Sequence, residues 1–162
     1  MNTNWRRIIL WALNALGAFV GAWALVAPRS FYDSFPLPGV FGAWVAGDGP
    51  YNEHLVRDVG SLYLALVAAG VVAALMRRAD ASVAVGVAWL VFSVPHLAYH
   101  VGHLHGLEPL DAVAQPIALA ATLVLAVPLC LPPRRGAVGG IRTVTDTETE
   151  GTGTLTEGGE AR

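Results

Sequence analysis

Residues 59–76 read VGSLYLALVAAGVVAALM, a run without Asp, Glu, Lys or Arg that is closed by Arg77-Arg78. An α-helix rises about 1.5 Å per residue, so about 20 apolar residues in a row cross the hydrocarbon core of a bilayer. Three further stretches share this character. Ile8–Ala27 ends at Pro28, Ala81–Val101 follows Asp80, and Ala112–Leu131 ends at Pro132-Pro133-Arg134-Arg135. A helix of a soluble bundle keeps a polar face. These runs are apolar all round, so they predict an all-α polytopic membrane protein, a four-transmembrane-helix bundle with spans at 8–27, 55–76, 81–101 and 112–131.

Composition points the same way. The chain has 162 residues, 54% of them hydrophobic and only 14% charged, with a net charge of −2. Its mean hydropathy is +0.53. Soluble domains carry about 25% charged residues, so this balance excludes an ordinary soluble enzyme, a nucleic-acid binder and a disordered chain. One cysteine, Cys130, excludes an internal disulfide and Cys-rich metal or iron–sulfur sites. Five of the twelve acids fall in residues 136–162, beside seven Gly and seven Thr. Such a segment has too little apolar surface to offset its ordering entropy and is read as a disordered acidic tail. Residues 1–135 form the membrane domain.

All ten basic residues are arginine. If four helices alternate, Arg6-Arg7, Arg77-Arg78 and Arg134-Arg135 share one side, and Arg29 and Arg57 face the other. The positive-inside rule then places both termini in the cytoplasm of a bacterial inner membrane. Arg6-Arg7 and Ala22-Trp23-Ala24 also fit a signal peptide, but the apolar run exceeds the usual h-region of about 7–15 residues, so the first span is read as retained. Gly17 and Gly21 are spaced for close helix contact, and Asn14 is expected to hydrogen-bond a neighbouring helix.

The polar residues of the core gather at the extracytoplasmic ends of the second and third spans. The second span opens Pro50-Tyr51-Asn52-Glu53-His54-Leu55-Val56-Arg57-Asp58, which sets Glu53 one turn from Arg57 and His54 one turn from Asp58. The third ends Pro95-His96-Leu97-Ala98-Tyr99-His100-Val101-Gly102-His103-Leu104-His105. At 100° per residue His96, His100 and His103 fall within about 60° on one face. Glu108, Asp111 and Gln115 follow. Ionisable groups at membrane depth usually face a bundle interior or a water-filled cavity, so one pocket is expected, walled by His54, Asp58, His96, His100 and His103, with Glu53, Arg57 and Gln115 beside it. Pro95 removes a backbone hydrogen bond next to that stripe and is expected to kink the helix.

Three chemistries fit such a pocket. Paired imidazoles at i, i+4 with a third ligand suit a divalent transition metal, held by His54, Asp58, His96, His100 and His103. Haem b fits if His54 on one helix faces His96 or His100 on the next. Proton-transfer or quinone chemistry on a lipophilic small molecule needs neither. The alternative is a non-enzymatic ligand-binding or partner subunit of a membrane complex whose histidines are structural. Pro28–Asn52 holds six aromatics, four Pro and four Gly and cannot be one helix. It reads as an interfacial anchor, or else as a lid over the pocket, since it feeds into Glu53 and His54.

The block Pro50–Gly60 and the motif Pro95-His96-Leu97-Ala98-Tyr99-His100, together with length and span count, resemble actinobacterial members of the DoxX-like small membrane proteins. The resemblance covers residues 5–131. It implies the four-helix fold and, because some DoxX-like proteins are subunits of thiosulfate:quinone oxidoreductases, a link to quinone redox work. It assigns no catalytic residue.

Overall fold

The computed structural model describes residues 3–76 and 78–132. The tail at 136–162 lies outside the described residues, as do Arg77, Arg134 and Arg135. The described chain is all helical: α1 (Asn4–Val26), α2 (Pro28–Ser34), α3 (Trp44–Gly47), α4 (Glu53–Met76), α5 (Ala79–Gly102) and α6 (Pro109–Leu129). Four of these, α1, α4, α5 and α6, are long and apolar enough to cross a membrane. They start three or more residues earlier than the charge-free runs in α1 and α6, because Trp5, Arg6, Pro109 and Asp111 are taken into first turns. α5 runs unbroken through Pro95.

Proline sets the punctuation. The residue before a proline is pushed out of the helical region, and Ala27 stands at φ −129°, ψ 62° before Pro28. Pro28, whose missing N–H costs nothing at a helix start, opens α2. Phe35 is extended before Pro36 and ends it. Pro109 opens α6 in the same way.

α1 packs chiefly on α4, α5 on α6, and α4 and α5 join the two pairs. Small residues set these contacts. A Cβ on Gly60 would stand 2.7 Å from the backbone nitrogen of Leu25 and 2.9 Å from the carbonyl of Gly21, so α1 and α4 touch backbone to backbone there. Gly17 lies against Val67 and Trp89, and Gly86 lets α5 approach Leu129 of α6. Asn14 departs from expectation. It is buried on Gly70, and neither its Oδ1 nor its Nδ2 has a hydrogen-bond partner. The space beside glycine admits the amide but supplies nothing for it to bond.

Two arginines satisfy helix ends. The last carbonyls of a helix have no intrahelical donor and carry partial negative charge. Arg6, 3% exposed, donates to the carbonyls of Leu129 at 3.0 Å and Leu131 at 2.6 Å, joining the start of α1 to the end of α6. Arg57 donates to the Leu25 carbonyl at the end of α1 and to Glu53 at 2.9 Å. One end of the bundle therefore gathers the start of α1 and the end of α6. The opposite end gathers the end of α1, the start of α4 and the loops.

Candidate functional site

At the loop end the helices enclose a cavity of about 300 Å³. Its side walls are Leu16 and Val20 of α1, Val56, Val59 and Tyr63 of α4, His96 and His100 of α5, and Gln115, Leu119 and Thr122 of α6. The roof is the segment between α1 and α4, with Phe31, Phe35, Trp44 and Asp48 facing in. The aromatic-rich segment thus covers the cavity, the position expected of a lid.

The lid is fastened by its own chemistry. Asp111, 4% exposed in the first turn of α6, accepts from the Trp44 indole at 2.8 Å and from the Gly42 backbone N–H at 3.1 Å. Tyr32 donates its hydroxyl to the Gly49 carbonyl at 2.7 Å. Phe31 and Phe35 meet at a tilt with centroids 4.6 Å apart, Trp23 meets Phe31 edge-on at 5.8 Å, and Arg29 lies 5.0 Å over Tyr51. In a segment with four Pro and four Gly, side chains thereby add to the backbone bonds of α2 and α3 and to the one from Trp44 N–H to the Phe35 carbonyl at 3.0 Å.

Not all of the expected pocket residues meet. His96 and His100 do: their rings are 4.8 Å apart, His96 stacks on Phe92 at 5.0 Å, and His100 Nδ1 stands 3.9 Å from Asp48 Oδ1. Gln115 joins them in the lining. His54 and Asp58 pair at 2.8 Å as their spacing predicts, but on the outward face, with side chains 84% and 62% exposed. The reason is helical phase. Val56, Gly60 and Tyr63 take the inner face of α4, and position 54 lies about 200° from 56. Glu53 and Arg57 form their ion pair beside the bundle. His103 leaves the stripe because α5 ends at Gly102. Its backbone turns to φ −124°, ψ 33°, and its ring stacks on Tyr99 at 4.1 Å. Among the described residues no group of three or more His, Cys, Asp or Glu is placed to hold a metal ion. The ligand set drawn across His54, Asp58, His96, His100 and His103 does not converge, and His54 does not face His96 or His100 as a shared haem would require.

Three lining groups carried no sequence signal strong enough to name them as pocket residues: Asp48, Tyr63 and Thr122. Asp48 stands alone in a Gly-Asp-Gly-Pro turn. Its burial against the cavity raises its carboxyl above the usual 3.8, and positive charge on His100 or His103 pulls the other way.

No family model, curated protein or solved structure matches this chain.

Proposed function

We propose that this protein binds a lipophilic small molecule in the lidded cavity, at the extracytoplasmic end of a bacterial inner-membrane bundle whose termini are cytoplasmic. The observation that carries the reading is a mostly apolar chamber of about 300 Å³ with a few polar groups in its lining, among them His96, His100, Asp48 and Gln115. Ligand sites typically have this make-up, with volumes of about 300–1,000 Å³. The orientation rests on Arg6, Arg7 and Arg78 lying toward the end opposite the cavity. The resemblance to DoxX-like proteins supports quinone-linked redox work as one use of the site. A divalent metal and haem b are less well supported than an organic ligand, since the donors they need are spread over the inner and outer faces of α4 and α5.

Naphthalene titrated into detergent-purified protein tests the reading. A saturable rise in melting temperature is expected, and it is expected to vanish in Leu119→Trp, which fills the chamber. No saturable rise in the wild type would overturn the proposal. Treatment with EDTA is expected to leave the melt unchanged.

A further inference from the structure

Polar side chains buried in a protein nearly always find a hydrogen-bond partner. Around this cavity some do. Thr122 donates to the Leu119 carbonyl at 2.7 Å and meets Ser93 at 3.2 Å, and Asn52 accepts from the Leu55 N–H at 3.1 Å. Gln115, Tyr63 and His96 do not. Gln115 is 3% exposed and Tyr63 7%, both line the cavity, and neither side chain has a hydrogen bond among the described residues. The ring of His96 stacks on Phe92 and meets His100 edge-on, and it has no hydrogen bond among the described residues. Asn14 shows the contrast: its unpartnered amide is sealed against Gly70, away from the lining of this cavity.

We infer that the cavity selects an uncharged ligand bearing a hydroxyl or carbonyl oxygen on an apolar body, with Gln115, Tyr63 and His96 hydrogen-bonding that oxygen. This rests on the cavity being a ligand site. An amide, a phenol and an imidazole can each donate or accept, so together they suit either kind of oxygen. The charge around the cavity excludes an anion. Among the described residues no arginine lines it: Arg57 is held by Glu53 and the Leu25 carbonyl, and Arg29 by Asp33 at 2.8 Å. An anionic head would meet the carboxylate of Asp48 and no fixed cation. A cationic head would have Asp48 alone to offset the loss of its hydration in a mostly apolar lining.

Four probes on one carbon skeleton separate these outcomes at pH 7.5: naphthalene, 1-naphthol, 1-naphthoate and 1-naphthylmethylammonium. Binding is read from the thermal shift of the full chain in detergent. 1-Naphthol is expected to bind roughly tenfold more tightly than naphthalene, the scale of one well-made hydrogen bond. Gln115→Leu is expected to erase that advantage and keep naphthalene binding, since a leucine fills the same space without leaving a polar group unpaired. His96→Phe serves as a second variant with the same expectation. Equal binding of naphthol and naphthalene would overturn the inference and leave the ligand site standing. Tightest binding of naphthoate or of the ammonium would overturn it in favour of charge recognition. Binding of none of the four would overturn the ligand site and the inference with it.

Discussion

Trp44 and Asp111 are 67 residues apart in sequence and joined by a 2.8 Å hydrogen bond that is buried at the seam between the lid and α6. The same carboxylate holds the Gly42 N–H, so one side chain fixes both ends of the turn that leads into α3.

Replacing Asp111 with asparagine leaves one acceptor oxygen for two donors and turns an amide N–H₂ toward the other. Asp111→Asn is expected to cost about 1–3 kcal/mol and to speed proteolysis within residues 36–50. Melting of the detergent-purified variant and mapping of the cleavage sites check this. An unchanged melt with unchanged cleavage would show that the aromatic packing alone holds the lid.

At Gly60 a methyl group would press on backbone atoms of α1, which cannot swing aside as a side chain can. Gly60→Ala is expected to destabilise by about 1–3 kcal/mol. Gly102→Ala is the control, because nothing lies within 4 Å of the position its Cβ would take. Equal melting temperatures for the two variants would contradict the close crossing of α1 and α4.

Asn14 gives the opposite sign. Its amide is buried without a partner, so Asn14→Leu is expected to leave stability unchanged or raise it by about 1 kcal/mol. A clear fall in melting temperature would mean that the amide makes a hydrogen bond that leucine removes.

Burial raises the Asp48 carboxyl above its ordinary 3.8, so in the interval above that value the folded protein holds more of this proton than the unfolded chain does. Stability contributed by this group therefore falls as pH rises through the interval. Asp48→Asn is expected to flatten that part of the profile. Parallel melts of wild type and variant from pH 4 to about 7 read the difference, and superimposable profiles would remove Asp48 from the account.

The helices were legible because crossing a bilayer demands long charge-free runs, and four of them stand in the sequence. The inward direction of each helix was not. When a helix is apolar all round, hydrophobic period cannot say which side meets protein and which meets lipid. On α4 the cue was size rather than polarity: Gly60 and Gly70 mark the buried face, and His54 and Asp58 lie off it. On α5 the i, i+4 spacing of His96 and His100 sets their rings 4.8 Å apart, while His103 stands past the end of the helix at Gly102. Asp111 was visible as an acid near a helix start, but its partners stand 67 and 69 residues upstream, a separation that local spacing does not reach.

The arginine at the other end of the bundle imposes an order in time. Arg6 is synthesised 123 residues before Leu129 and 125 before Leu131, whose carbonyls receive it. α1 and α4 can dock as soon as their facing glycines are made, yet through that whole interval the guanidinium lacks the two carbonyls that bury it in the finished fold. Its burial is therefore a closing event of biogenesis. A nascent chain halted before α6 is complete would hold a docked pair of helices whose first turn still lacks its partners.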